Sequence, residues 1–458
     1  MPLTSLMLRA PVLPFAALAL AAIVSLSVLP ASALSQNATG TIDGRAGREL
    51  GLWEIEVGPI PGFAPFFDRA MDRVMEEAIA RRVTPGAAVV IGHGGEVVFS
   101  GMYGRVDWDP DSAPVTETSV YDLASVTKVA ATTLAVMILT EDGRIDVDAP
   151  VHRYLRAWPN EGEASRVTVR HLLSHRSGLP AGAPFWQEGD DRNVQVYALS
   201  RLARHAPPGE GEVYTDLGPI LLGFVVEEVA GEPLDAFLER RVYRPLGLRE
   251  TTFHPLEDGF APESLAPTEW LGRRQLRGVV HDPSARALGG VAGNAGLFSS
   301  ARDLAVLASA VLWEKPTRLV CRDVLRDFTA RQDPSGRYAL GWETPGERTF
   351  WSEVMGSRAF GHTGFTGTSV WIDPEADYFV VLLTNRVNPS AENQLHQWLR
   401  REVHDLVRRG HLAQEADQIA LDWRVPETWR SVDSCRAELG GAILGRLEGA
   451  FLAWMTGR

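Results

Sequence analysis

The sequence predicts an α+β protein, an α/β sandwich in which an antiparallel sheet is flanked by helices and interrupted by a mostly helical inserted domain. Three observations predict it. Near the N-terminal side, Ala87-Ala-Val-Val-Ile91 and Glu96-Val-Val-Phe-Ser100 flank the turn His93-Gly94-Gly95 and read as a β-hairpin. Near the other end, Gly367-Thr-Ser-Val-Trp-Ile372 and Tyr378-Phe-Val-Val-Leu-Leu383 flank a turn around Asp373-Pro374. Between them, residues 125–315 are mostly helical in pattern, with loops rich in Gly and Pro such as Ser177-Gly-Leu-Pro180, Pro207-Pro-Gly209 and Leu288-Gly-Gly290. If both pairs of strands join one sheet, the middle becomes a helical insertion and a cleft forms between the layers.

The elements follow in chain order. Arg9 precedes an apolar stretch from Val12 to Leu29 and the small residues Ala31-Ser32-Ala33, so residues 1–33 read as an export signal, or as an uncleaved membrane anchor because the apolar core is long. Both readings place the bulk of the chain outside the cytoplasm, in the periplasm or the extracellular space, and the anchor reading adds membrane association through the N-terminus. Residues 34–52 form a polar linker, and residues 53–410 form the main domain. It opens with an amphipathic helix whose Phe66, Phe67, Ala70, Met71, Val74, Met75, Ala78 and Ile79 share one face. A helix from about 391 to 408 closes it. Residues 411–458 are a C-terminal extension in which Leu439, Ile443, Leu444, Leu447, Phe451 and Met455 suggest a helix weakened by Gly440, Gly441, Gly445 and Gly449.

The chain has 458 residues, 45% of them hydrophobic, enough for a large core. Its formal net charge of −13, with 58 acidic against 45 basic residues, argues against a nucleic-acid partner. Cys321 and Cys435 are the only cysteines. They could pair in an oxidising compartment, and they leave little room for a cysteine nucleophile or a thiolate metal site. No metal and no cofactor is expected. His171 and His175 have the spacing of half a zinc-protease helix, but Leu172 stands where that motif needs its glutamate, so structural hydrogen bonding is the better reading.

The candidate chemistry begins at Ser125-Val-Thr-Lys128, ahead of the apolar segment Val129–Thr140. Three residues apart on a helix, the hydroxyl and the amine share a face, so Lys128 can take the Ser125 proton, and the helix N-terminus favours negative charge there. Alone the pattern is weak, since a helix-cap serine and a solvated lysine explain it equally well. Two clusters supply partners. Tyr214-Thr215-Asp216 lies in a loop before an apolar helix, Ile220 to Val229, and its phenol could relay a proton if a nearby ammonium lowers its pKa. His362-Thr363-Gly364 leads into Phe365-Thr366-Gly367 and is expected to begin a strand lying along a substrate, with Gly364 allowing close approach.

These three clusters, in this order, resemble the serine penicillin-recognising hydrolases, which comprise class C β-lactamases, D-alanyl-D-alanine carboxypeptidases and related esterases. That family carries SxxK, a Tyr-x-Asn loop, and Lys-Thr-Gly or His-Thr-Gly on a strand. The resemblance runs from about residue 65 to 408 and includes His171-Leu-Leu-Ser-His-Arg-Ser-Gly-Leu-Pro180, Arg244-Pro-Leu-Gly-Leu248 and Gly293-Asn-Ala-Gly-Leu-Phe-Ser299, stretches without catalytic chemistry of their own. It implies a β-lactamase/transpeptidase-like fold and an acyl-enzyme on Ser125, with Lys128 and Tyr214 sharing the proton traffic. It also implies an oxyanion hole from the backbone amides of Ser125 and Phe365, and substrate binding by Asp216, His362, Thr363 and Gly364. The substrate would be a small acyl or peptide molecule: a cell-wall peptide, an ester or a β-lactam.

Two positions depart from the commonest pattern. Asp216 replaces Asn and, when ionised, tends to hold Lys128 charged. His362 replaces Lys, as in the peptidase-like branch. A compensating pair, Asp216 stabilising a His362 imidazolium, would make acylation depend on pH between about 5 and 8. The leading expectation is an exported serine acyl hydrolase most like a D-alanyl-D-alanine carboxypeptidase. A carboxylesterase or weak β-lactamase is the alternative within enzymes, and a non-catalytic penicillin-binding sensor is the alternative outside them. Arg286 could bind a substrate carboxylate, with a salt bridge elsewhere the better reading.

Overall fold

A computed structural model of the protein describes Phe63 and residues 66–315, 317–346 and 355–422, with side chains up to residue 413. The apolar N-terminal segment, the linker, Cys435 and the glycine-interrupted segment 439–455 lie outside the described residues.

Helix α1 (Phe67–Ala80) buries Phe67, Ala70, Met71, Val74, Met75 and Ala78, the stripe its apolar spacing predicts. Strands β1 (Gly86–His93) and β2 (Glu96–Gly104) form the expected hairpin. The chain then enters its helical middle. Helix α2 (Leu134–Glu141) continues a wide π-helical turn, Lys128–Thr133, and both are almost wholly buried. Helix α3 (Leu217–Ala230) and helix α4 (Ala301–Trp313) are apolar on most sides for the same reason. Strands β3 (Phe360–Thr363), β4 (Ser369–Asp373) and β5 (Tyr378–Thr384) return to the sheet.

All five strands make one sheet in the order β2-β1-β5-β4-β3, every pairing antiparallel. The two ends of the domain therefore meet at its centre, where Ala87 pairs with Thr384 and His93 with Tyr378. β1 and β5 are buried on both faces. Ala88, Val90, Val381 and Leu383 face a large core shared with α2, α3 and α4. Ala87, Val89, Ile91, Val380 and Leu382 face a second core shared with α1 and α5 (His396–Asp422). Burial on both sides explains the unbroken apolar runs that these strands present in the sequence.

Two expectations about elements change. α5 starts at His396 rather than near 391 and runs on past 410 to Asp422. His362 lies near the end of a strand instead of beginning one. After Thr363 the chain turns through Gly364–Thr368, closed by Gly364 N–H donating to the Thr368 carbonyl at 2.8 Å, with Gly367 at φ +117°. A side chain at Gly367 would be strained there, so the turn follows from the sequence Gly-Phe-Thr-Gly.

Candidate active site

Ser125 sits in a tight turn, Ala124–Val126, at the head of the buried helix. Ala124 just before it has φ +46°, a left-handed conformation that costs a non-glycine residue energy and that recurs where a side chain must be aimed. Asp122 stabilises this turn, its Oδ1 accepting from Ala124 N–H at 2.9 Å and its Oδ2 from His281 N–H at 2.6 Å.

Lys128 is 2% exposed. Its Nζ donates to Ser125 Oγ at 2.8 Å, to Asp216 Oδ1 at 2.7 Å and to the Asn294 carbonyl at 3.1 Å. Three acceptors satisfy an ammonium completely. Burial alone would lower the Lys128 pKa, but the Asp216 carboxylate and the Tyr214 phenol outweigh it and hold the amine above its ordinary range. The tendency expected of Asp216 is thus realised as a direct ion pair.

The Tyr214 hydroxyl lies 2.9 Å from Ser125 Oγ, and its ring centroid is 5.1 Å from Lys128 Nζ. Although 37% of the residue is exposed, the packing around its hydroxyl raises the phenol pKa, and the neighbouring ammonium only moderates this. Tyr214 is therefore a neutral phenol near neutrality. His175 fixes its position: the imidazole Nδ1 accepts from Thr215 N–H at 3.2 Å, and the ring packs between Tyr214 and Tyr338 at centroid distances of 4.8 and 4.5 Å. His171 belongs to a helix cap, with Thr168 N–H donating to its Nδ1 at 3.3 Å. Both histidines thus serve the fold through these hydrogen bonds, and among the described residues no group of three or more His, Cys, Asp and Glu is placed to hold a metal ion.

His362 corrects the expected pair with Asp216. It is 2% exposed and its Nδ1 lies 2.8 Å from the Thr363 carbonyl, while Asp216 is bonded to Lys128 instead. Burial, reinforced by the Lys128 charge, lowers the imidazole to about 3, so it is neutral throughout the range where it was expected to switch.

The turn after Thr363 is stitched to the residues before Ser125. Thr366 Oγ1 donates to the Asp122 carbonyl at 2.7 Å and Thr368 Oγ1 to the Leu123 carbonyl at 2.9 Å. Gly364 serves this joint: a Cβ there would lie 2.4 Å from the Leu123 carbonyl oxygen and 2.1 Å from Thr368 Oγ1. Its small size lets the protein's own backbone approach, where approach of a substrate had been expected. Arg400 of α5 donates to the Gly364 carbonyl and, at 2.8 Å, to the Thr368 carbonyl, and Arg386, just after β5, donates from Nε to the Phe365 carbonyl at 2.8 Å. Among the described residues, the backbone N–H groups of Ser125 and Phe365 have no acceptor within the protein.

Ser125, Tyr214, Asp216, His362, Thr363, Gly364 and Phe365 all line one cleft of about 560 Å³. The cleft also takes in residues that sequence reasoning missed: Asn294, Arg337, Glu343, Arg386 and Arg400. Asn294 contributes a backbone carbonyl, which has no side-chain signature; its Nδ2 donates to Asp282 Oδ1 at 3.1 Å. Arg337 Nε donates to the buried Glu343 carboxylate at 2.7 Å. Arg286 lies outside the cleft lining and donates to the carbonyls of Val280 and His281, folding the adjacent loop.

Residues 71–405 match the family model described as Beta-lactamase. The chain is 32% identical over 356 residues to an N-acetylmuramyl-L-alanine amidase of Bacillus subtilis, covering 69% of this chain and 80% of the relative. It is 32% identical over 350 residues to a protein of Escherichia coli O157:H7 named as a putative D-alanyl-D-alanine carboxypeptidase, covering 68% and 80%. Among solved structures, the hydrolase EstCE1, described as having promiscuous acyltransferase activity, aligns with a TM-score of 0.61 at 24% identity over 75% of this chain and 98% of its own. A penicillin-binding protein homologue from Pyrococcus abyssi aligns at 0.59 and 23% identity over 74% and 77%. Serine, lysine and tyrosine meeting at a cleft beside a strand-end His-Thr-Gly, in a fold shared with the two solved structures, agree with the sequence matches: the chain belongs to the β-lactamase family of serine hydrolases.

Proposed function

We propose that the protein is an exported peptidase of the D-alanyl-D-alanine carboxypeptidase kind that works through an acyl-enzyme on Ser125. One observation carries the reading: Ser125 Oγ stands within hydrogen-bond reach of both Lys128 and Tyr214, in the cleft that the unengaged amides of Ser125 and Phe365 also line. Ser125 attacks the acyl carbonyl, and the two amides receive the oxyanion, each such donor contributing about 3 kcal/mol in acyl transfer. The neutral Tyr214 phenol protonates the departing amine, and water then hydrolyses the ester on Ser125. Arg337 lines the cleft with Nε and Nη2 turned to Glu343, and its remaining arm suits the carboxylate of a short peptide. The names of the amidase and carboxypeptidase relatives favour an amide substrate from the cell wall, and the apolar N-terminal segment favours export.

The test mixes purified protein with benzylpenicillin and follows intact mass over time, beside Ser125→Ala and beside D-alanine release from a peptide ending in D-Ala-D-Ala. A Ser125-dependent adduct together with D-alanine release is the expected result. A lasting adduct without release would identify a sensor, and rapid loss of the adduct with turnover a lactamase. Carboxylester hydrolysis is the second reading, favoured by the Asp216 carboxylate, which holds Lys128 charged and so suits carbonyls needing less leaving-group assistance. Turnover of p-nitrophenyl acetate that needs Ser125, with no penicillin adduct, would establish it. Full activity of Ser125→Ala on all three substrates would sink both readings.

A further inference from the structure

Before Ser125 can attack, its proton must leave, and the surroundings restrict where it can go. Lys128 already points its hydrogens at three acceptors. An ammonium cannot take a fourth proton, so Lys128 can accept from Ser125 only by handing one on. One of its acceptors is Ser125 itself and another is the peptide carbonyl of Asn294; neither is a base. The third, Asp216 Oδ1 at 2.7 Å, is a carboxylate. Tyr214 offers no competing route as a phenolate, because it is held as a neutral phenol.

We infer that Asp216 is the destination of the Ser125 proton, reached through Lys128, so that the carboxylate in the position usually held by Asn is the proton store for acylation. The inference rests on the reading of Ser125 as nucleophile. As the Ser125 Oγ–H bond breaks, its electron pair forms the bond to the acyl carbon and the carbonyl π pair moves onto oxygen. The proton passes to Lys128 Nζ while another Nζ–H proton passes to Asp216 Oδ1. Charge balances: a carboxylate is lost and an oxyanion gained, and Lys128 remains a cation beside it. On collapse the C–N bond breaks, the leaving nitrogen takes the Tyr214 hydroxyl proton, and Asp216 restores it through Lys128.

The groups facing the pair set the background for its pH behaviour. Tyr214 comes from the loop before α3, and His175 from the segment beneath it. Asn294, backed by Asp282, comes from the loop before α4, and His362 and the Arg337–Glu343 pair stand across the cleft. His175 is driven well below its ordinary range by burial and by Lys128, and His362 likewise by burial first, so neither changes charge near neutrality. The zero-charge Lys128–Asp216 pair is left as the group whose state controls acylation.

The test measures Ser125 acylation by p-nitrophenyl acetate, read as pre-steady-state p-nitrophenol release from pH 4.5 to 8.5, in the wild type, Asp216→Asn, Asp216→Glu and Ser125→Ala. The wild-type rate constant is expected to be flat from about pH 5.5 to 8, since the relay starts from the Lys128–Asp216 ion pair seen in the structure and needs no deprotonated Lys128. In Asp216→Asn the proton must go to solvent, so acylation follows the neutral fraction of Lys128. Its acid limb then moves up by at least about one pH unit, falling about tenfold per unit below it. Asp216→Glu restores the wild-type limb. A wild-type limb between pH 6 and 8, or an Asp216→Asn profile lowered uniformly with its limb unmoved, would show that Asp216 only positions Lys128 and would overturn the relay. The wild-type profile decides the matter even if Asp216→Asn unfolds. Release that survives in Ser125→Ala removes the nucleophile reading itself, and with it the relay.

Discussion

His175 governs where Tyr214 can stand. Its Nδ1 is the acceptor for Thr215 N–H, and its own carbonyl accepts Val213 N–H at 3.0 Å, so one residue holds the loop on both sides of the tyrosine. The imidazole acts as an acceptor because burial and the Lys128 charge keep it neutral. His175→Leu orphans the buried Thr215 N–H, which costs about 1–3 kcal/mol. Urea denaturation should show that loss, and acylation at saturating ester should slow as Tyr214 loosens. His175→Gln keeps an acceptor oxygen and should recover part of both. From the sequence, His-Leu-Leu-Ser-His was legible as structural because the zinc-protease glutamate is missing, but not as the support of Tyr214, since a contact between residues 40 positions apart, with a helix between them, leaves no local pattern. The grouping of Lys128 and Tyr214 around Ser125 was legible from residue type and order, whereas Asp216 was expected to pair with His362 and instead bonds Lys128. His362 was misjudged because burial, which decides its charge, cannot be seen in a His-Thr-Gly triplet.

At the scale of elements, the turn after β3 and the turn before α2 are one joint. Thr366 and Thr368 reach the carbonyls of Asp122 and Leu123, and Gly364 packs between them with no space for a methyl group. Gly364→Ala must therefore move β3 away from Ser125. A displacement near 1 Å in a reacting geometry costs about a hundredfold in rate, so acylation of Gly364→Ala should fall by about that factor while far-UV circular dichroism is retained. Wild-type acylation in this variant would show that the joint does not set the spacing of the two amides. Of the two strands at this joint, β4 was readable from the run Gly367-Thr-Ser-Val-Trp-Ile372, whereas β3 was not, because a strand was expected to begin at His362. The error in placing His362 arose because Gly-Phe-Thr-Gly, a turn closed by its own backbone, sits directly between two strand-like segments. Arg400 was missed in spite of a usable signal: in α5, His396, Arg400, His404 and His411 share the stripe of Leu399, Val403 and Val407, and polar residues on a buried stripe must have buried partners.

At the scale of the molecule, α5 covers the outer face of the sheet and reaches through to the cleft by way of Arg400, whose guanidinium is lowered to about 9 by burial and by Arg386. His404, in the same layer, is held to about 3 by burial and by the Arg400 charge. It is neutral in the folded protein and protonates near pH 6.5 in the unfolded chain. Its contribution to stability is therefore full above pH 6.5 and declines as pH falls toward 3, by about 2 kcal/mol between pH 7 and pH 5. His404→Leu should shrink the difference in unfolding free energy between those two pH values by about that amount, whatever its effect at pH 7; an unchanged difference would mean that His404 is charged in the fold. The overall architecture was legible because strand patterns at both ends of the domain had to find one another, whereas the reach of α5 past residue 410 was hidden by a composition that shifts there.

The joint between Gly364 and Leu123 also bears on how this cleft could change over generations. The two amides proposed to receive the oxyanion are set by backbone packed against backbone, which side-chain replacement cannot adjust by small steps. Descendants that take up bulkier or differently charged acyl donors should accordingly keep residues 122–125 and 363–368 nearly constant and accumulate their changes at the cleft's other walls, around His281–Pro283 and Arg337–Tyr338. A laboratory lineage selected for new substrates would record that division as a map of where replacements settle and where they never do.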